Sequence, residues 1–144
     1  MINNQKTARI VAIVVIAMLV ITLAASLFGC SASTKTKSSS DVDAVSGLKI
    51  VAVADMPKEA QDTLKLIDQG GPYPYSRDGV VFGNLEKILP KHDRGYYHEY
   101  TVKTPGSPDR GARRLIGGGA LTTPASVYYT GDHYASFCLV NERG

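Results

Sequence analysis

The sequence predicts an α+β domain in which one N-terminal helix packs on a twisted antiparallel β-sheet. Three observations predict it. Ala60, Leu64 and Ile67 form a single apolar stripe of helical period between Pro57 and Gly70-Gly71-Pro72, which are start and stop signals for a helix. Downstream runs such as Gly95 to Lys103 (GYYHEYTVK) are rich in β-branched and aromatic residues and read as strands. Short turns built on Gly and Pro separate them, and a helix followed by strands with short turns is the α+β pattern.

In order, Leu48 to Ala54 (LKIVAVA) alternates as a short strand. Asp55-Met56-Pro57 then opens the helix. Pro72 to Asp78 is a loop that Pro-Tyr-Pro-Tyr holds extended. After the Gly95–Lys103 strand, Pro105-Gly106 and Pro108 turn the chain. Arg113 to Ile116 is the next strand, which Gly117-Gly118-Gly119 ends or bulges. Ser126 to Thr130 and Tyr134 to Val140 make a last pair around Gly131-Asp132. No internal repeat is evident.

The 144 residues suffice for one small domain. A net charge of +3 excludes a generic polycation, and two cysteines exclude a multi-disulfide scaffold or a Cys-rich zinc module. Ile10 to Phe28 is an almost continuous apolar run preceded by Lys6 and Arg9, the pattern of an export signal. Residues 1–29 are therefore a signal peptide or membrane anchor, with the rest of the chain outside the cytoplasm. Residues 30–46, rich in Ser, Thr, Lys and Asp, read as a disordered tether. Residues 47–144 are the folded domain. Setting aside Lys6, Arg9, Lys35, Lys37, Asp41 and Asp43 leaves 12 basic and 11 acidic residues from Gly47 onward. A basic site must then arise by placement and not by bulk charge.

Period-2 alternation puts Tyr97, Glu99 and Thr101 on one face of their strand and His98, Tyr100 and Val102 on the other. Tyr100 and Val102 suit the side packed by the helix, which leaves Glu99 on the open face. Arg114 lies on the face opposite Leu115, and His133 sits in the turn before the last strand. A carboxylate, arginines and a histidine can converge there, which is what phosphoryl transfer without a metal needs. The same residues also fit a solvated sheet face with an incidental turn histidine. No metal-ligand spacing and no cofactor motif is present.

Longer blocks carry a family resemblance. They are Gly71 to Glu86 (GPYPYSRDGVVFGNLE), Leu89-Pro90, Gly95 to Val102, Thr104-Pro-Gly106, Asp109 to Arg114 (DRGARR) and Tyr128 to Tyr134 (YYTGDHY). In order and content they resemble the microbial guanyl-specific ribonucleases, the family of barnase and the small Streptomyces enzymes. The resemblance implies the microbial ribonuclease fold and cleavage of single-stranded RNA 3′ of guanosine through a 2′,3′-cyclic phosphate. It implies Glu99 as general base, His133 as general acid, Arg114 and Arg110 at the scissile phosphate, and Tyr134 beside the acid. For guanine it implies Glu86 on N1–H and the 2-amino group, backbone amides near Asn84 and Leu85 on O6, and Phe82 in the same loop. Leu85 replaces a frequent arginine and Gly83 a glutamine. His98 and His92 are expected at structural or solvated positions, and Arg113 as a surface charge or a secondary phosphate contact.

Leu27-Phe28-Gly29-Cys30 resembles the lipobox of bacterial lipoproteins, which implies a diacylglycerol on Cys30. An uncleaved anchor and ordinary secretion stay open beside it. With Cys30 lipidated, Cys138 is expected as a half-buried thiol, without the end-joining disulfide of the Streptomyces relatives. The expected partners are RNA, the membrane and, if the protein is an antibacterial toxin, a barstar-like inhibitor; the domain is expected as a monomer. The rival from another class is a non-catalytic guanine- or RNA-binding lipoprotein.

Overall fold

The computed structural model describes residues 42–141. The expected signal or anchor segment at 1–29, the expected lipidation at Cys30 and residues 30–41 of the expected 30–46 tether lie outside the described residues. Within them, strands β1 (Ile50–Ala52), β2 (Val80–Val81), β3 (Tyr97–Thr101), β4 (Arg114–Gly118), β5 (Ser126–Thr130) and β6 (Cys138–Asn141) form one sheet in the order β1-β6-β5-β4-β3-β2. Helix α1 (Lys58–Gln69) packs on one side. The pairings are antiparallel except β1 with β6, which is parallel. The α+β fold with one helix on a mostly antiparallel sheet is the one the sequence predicts, and the parallel β1–β6 pair is the one departure among the described strands.

Helix α1 starts where the chain leaves Pro57 and stops at Gly70, whose φ of 73° gives the left-handed cap that glycine adopts without steric cost. Its buried residues Ala60, Leu64 and Ile67 meet Tyr100, Val102, Leu115, Val127, Tyr129 and Val140 from the sheet. Burying a side chain such as Ile67 stabilises the fold by about 1.5–3 kcal/mol, and Ile67→Ala should cost about 2–5 kcal/mol.

The opposite face of the sheet is not open. Leu89, Tyr97, Ile116, Tyr128 and Phe137 form a second buried cluster there. It covers one end of that face and leaves a cleft at the other, where Thr101, Arg114 and Thr130 stand in register across β3, β4 and β5.

Several boundaries differ from the sequence reading. Asp43 to Ser46 is already ordered: Ser46 N and Oγ donate to Asp43 Oδ2 at 2.6 and 2.7 Å, and Val42 pairs with Lys49. Residues 42–46, read from the sequence as the end of a tether, therefore pack with the domain. The first strand is shorter than read because Val53–Asp55 turns as a 3-10 helix. Gly117 and Gly118 continue β4 instead of ending it, since a Cβ at Gly118 would stand 2.7 Å from both Ser126 Oγ and the Tyr96 ring. The absent side chain makes room for aromatic neighbours. The 134–137 segment leaves the last strand, so β6 starts at Cys138. Cys138 is disulfide-bonded, not a free thiol. The sequence holds one other cysteine, Cys30, outside the described residues.

Candidate active site

The cleft, about 380 Å³, is lined by Arg77, Glu99, Arg110, Arg114, His133 and Tyr134, and on its far wall by Val81 to Glu86. A larger cleft of about 520 Å³ near Pro90, His92 and Tyr96 lacks this set.

Glu99 comes from the middle of β3 and is 6% exposed. A carboxylate so buried needs partners. Tyr134 Oη donates to its Oε2 at 2.7 Å. Arg110 Nη2 and Arg77 Nε each stand 3.7 Å from its Oε1. Both guanidinium groups are beyond direct hydrogen-bond length, so Oε1 keeps its lone pairs for a proton.

Arg110 reaches Glu99 from the β3–β4 connection because Thr101 fixes it. Its Nε and Nη2 both donate to Thr101 Oγ1, at 3.0 and 2.6 Å. Asp78 supports that pair: its Oδ1 accepts from Thr101 N at 2.7 Å and lies 4.0 Å from Arg110 Nη2. Arg114, in β4, is 3% exposed. Its Nη1 donates to the carbonyls of Gly111 and Arg113 at 2.8 and 2.7 Å. Its Nε is buried with no hydrogen-bond partner among the described residues.

His133 and Tyr134 sit in the turn between β5 and β6 with φ of 57° and 74°. Two consecutive non-glycine residues in the left-handed region cost about 1–3 kcal/mol each, so their surroundings must hold them. Thr130 Oγ1 accepts from Tyr134 N at 3.1 Å and donates to Asp132 Oδ1 at 2.9 Å. Asp132 also accepts from Ser136 N at 2.9 Å and Ser136 Oγ at 2.6 Å. Burial works against the Asp132 charge, but these bonds outweigh it and hold its carboxyl below the ordinary carboxylate range. His133 N donates to Ala112 O at 3.2 Å, which ties the turn to the arginine loop. Burial, followed by the bond to Glu99 and its charge, raises the Tyr134 phenol.

In the far wall, the Phe82 ring lies 5.2 Å from that of Tyr134, tilted by 33°, and edges onto Phe137 at 6.2 Å. The Asn84 side chain is used within the loop: Nδ2 donates to Leu89 O at 2.9 Å and Oδ1 accepts from Leu89 N at 3.2 Å. Asn84, at φ 46°, therefore shapes the loop with its side chain. Leu85 is 84% exposed, and its side chain lies over Gly83. Glu86 is exposed beside it.

The cleft thus brings together all the predicted residues from both sets: Glu99, His133, Arg110 and Arg114, and Phe82, Asn84, Leu85, Glu86 and Tyr134. The rest stay apart. His98 is absent from the cleft lining, and burial lowers its imidazole. Arg113 pairs with Glu59 at 3.7 Å. His92 is exposed, as expected, and stacks on Tyr96 at 3.7 Å. Sequence reasoning missed Arg77, Asp78 and Thr101. Thr101 was on the right face by alternation, and Asp78-Gly79 carried a turn signal, but neither names a partner. Among the described residues no group of three or more His, Cys, Asp or Glu is placed to hold a metal ion.

A family model described as ribonuclease matches residues 39–141, most of the chain. The chain belongs to the ribonuclease family. The chain is 60% identical over 91 residues to guanyl-specific ribonuclease Sa3 of Kitasatospora aureofaciens, covering 63% of this chain and 62% of the relative, so it spans less than two thirds of that relative's length. It is 56% identical to guanyl-specific ribonuclease St of Saccharopolyspora erythraea, covering 65% of this chain and 89% of that one. It is 55% identical to ribonuclease Sa of Kitasatospora aureofaciens, covering 64% and 93%. A solved structure of ribonuclease Sa2 with mononucleotides superposes at a TM-score of 0.63 and 52% identity, covering 67% of this chain and 97% of that one. Ribonuclease Sa2 with guanosine-2′-cyclophosphate gives 0.62 at 52% identity, covering 67% of this chain and 99% of that one.

Proposed function

We propose that the protein is an extracytoplasmic endoribonuclease that cleaves single-stranded RNA 3′ of guanosine, without a metal, through a 2′,3′-cyclic phosphate. The observation that carries the reading is the buried Glu99 carboxylate. One of its oxygens is held by Tyr134 and the other faces Arg110, in a cleft shared with Arg114 and His133. The names of the relatives and the nucleotides in the Sa2 structures point the same way.

Glu99 Oε1 takes the proton of the ribose 2′-OH. The 2′-oxygen attacks phosphorus, and a P–O bond forms as the P–O5′ bond breaks. His133 gives its proton to the departing O5′. Arg110 and Arg114, which line the cleft beside Glu99 and His133, hold the phosphoryl oxygens. Fixed guanidinium charge does the work that a metal ion would otherwise do. DNA has no 2′-OH and is not a substrate for this route.

For the base, Glu86 accepts from N1–H and the 2-amino group of guanine, and backbone N–H groups at Asn84 and Leu85 donate to O6. Asn84 favours backbone over side-chain reading, because its amide is engaged with Leu89. Adenine has no N1–H and carries a donor in place of O6, so it leaves these groups mismatched. Phe82 and Tyr134 supply apolar surface beside the base.

Export is supported by the basic, then apolar, N-terminus. Membrane tethering through Cys30 needs the sulfur of that residue, and a sulfur in a disulfide cannot also carry diacylglycerol. The two fates of Cys30 are exclusive, and the mass of the mature chain without reductant distinguishes them.

The test is the purified protein with EDTA on GpU and ApU dinucleotides. The expected result is guanosine 2′,3′-cyclic phosphate appearing before the 3′-phosphate, with ApU cleaved far more slowly. Loss of activity on chelation, or equal rates on both dinucleotides, overturns the reading.

A further inference from the structure

Given the function proposed above, we infer that Arg77 is a third, movable phosphate-binding arginine that passes its charge from the Glu99 carboxylate to the phosphoryl group during the reaction. Arg77 lies in the loop just before β2, at the edge of the sheet, whereas Arg110 and Arg114 come from the β3–β4 connection and from β4. The three guanidinium groups line one cleft with Glu99 and His133.

Their freedom differs sharply. Arg114 is 3% exposed and bonded to two carbonyls. The Arg110 side chain is 28% exposed and doubly bonded to Thr101. The Arg77 side chain is 65% exposed, and its ion pair among the described residues is with Glu99, at 3.7 Å. At that length it is held by charge and not by a directed bond. The oxygen it faces is Oε1, the one that Tyr134 leaves available.

Charge movement gives this placement its consequence. Before reaction, Glu99 carries one negative charge and the phosphodiester another. When the 2′-OH proton moves to Oε1, Glu99 becomes neutral. As the 2′-oxygen bonds to phosphorus, the phosphoryl group gains the charge that Glu99 lost; it gives the charge up as the P–O5′ bond breaks and O5′ takes the His133 proton. A cation attracted to Oε1 in the ground state is attracted to the phosphoryl oxygens at the transition state. Because Arg77 is not clamped, it can follow. An interaction that strengthens only as the transition state forms raises kcat more than it lowers KM.

The experiment measures kcat and KM on GpU for the full-length parent, Arg77→Gln and Arg77→Lys, with thermal melts to verify folding. It also measures binding of guanosine 3′-phosphate and of guanosine to Glu99→Gln, with and without Arg77→Gln. In the Glu99→Gln background the carboxylate charge is already gone, so a direct contact with phosphate stays visible there. Charge-assisted contacts predict that Arg77→Gln lowers kcat about tenfold, with KM changed less than about threefold. Arg77→Lys should recover part of the loss. In the Glu99→Gln background, Arg77→Gln should weaken guanosine 3′-phosphate about tenfold and guanosine by less than about twofold. If the parent cleaves GpU but Arg77→Gln keeps kcat within about twofold, the inference is overturned and the functional reading stands. The same holds if the loss of 3′-phosphate affinity vanishes without Glu99, since Arg77 would then act only through the base. If the parent does not cleave GpU, the functional reading fails and this inference fails with it.

Discussion

Tyr134 Oη donates to Glu99 Oε2 at 2.7 Å, joining the β5–β6 turn to the centre of the sheet across 35 residues of sequence. The bond fixes the carboxylate plane and decides which oxygen is left to act. It also links the base-binding wall to the acid–base pair, because the same tyrosine ring packs on Phe82. Tyr134→Phe keeps that packing and removes the donor. A hydrogen bond to a charged group contributes about 1.5–3 kcal/mol, so kcat/KM on GpU is expected to fall about tenfold or more. Binding of guanosine alone should change little. Steady-state kinetics beside nucleoside binding checks both halves.

Glu99 and His133 are expected to differ in how they respond to the leaving group. His133→Ala should cost at least about 100-fold on a substrate with a basic alkoxide leaving group. The cost should be much smaller where the leaving group departs without a proton. Glu99→Ala should slow both substrates, since both need the 2′-OH activated. A series of guanosine 3′-phosphodiesters of graded leaving-group basicity measures this. Equal responses from the two variants would refute the division of labour.

Asp132 gives a pH dependence with a definite sign. Burial opposes its charge, yet the bonds from Ser136 and Thr130 hold its carboxyl below the ordinary range. A lowered folded-state value stabilises the fold above the unfolded value, near about 3.9, and this contribution is lost as pH falls through the folded value. Asp132→Asn should therefore lower Tm most at neutral pH, and the gap from the parent should narrow as pH drops below about 4. Activity should fall too, because Asp132 and Thr130 hold the strained His133-Tyr134 turn. Thermal melts from pH 7 to 3 test the stability claim; a gap independent of pH would contradict it.

The Cys138 disulfide should matter for stability. Removing such a bond from a small domain costs about 2–5 kcal/mol. Reductant, or Cys138→Ser, is expected to lower the urea midpoint accordingly. Intact mass without reductant then reports whether Cys30 is joined to Cys138 or carries lipid.

Much of this molecule was legible in its sequence because the signals are local. The Ala60, Leu64 and Ile67 stripe between Pro57 and Gly70 determined a helix and its buried face. Alternation along Tyr97 to Thr101 determined that Glu99 and Thr101 share a face and that Tyr100 belongs to the helix side. The blocks around Glu86, Glu99, Arg114 and His133 determined the family. The tertiary structure alone decided what depends on chain segments far apart in sequence. It covered half of the presumed open face with Leu89 and Phe137, paired β1 with β6 in parallel and gave Cys138 a disulfide. It set Arg77 beside Glu99, and clamped Arg110 on Thr101 with Asp78 behind. Periodicity gives a side chain its face but not its neighbour. A neighbour is fixed only when register, strand order and loop path are all set, and those follow from the packing of the whole sheet.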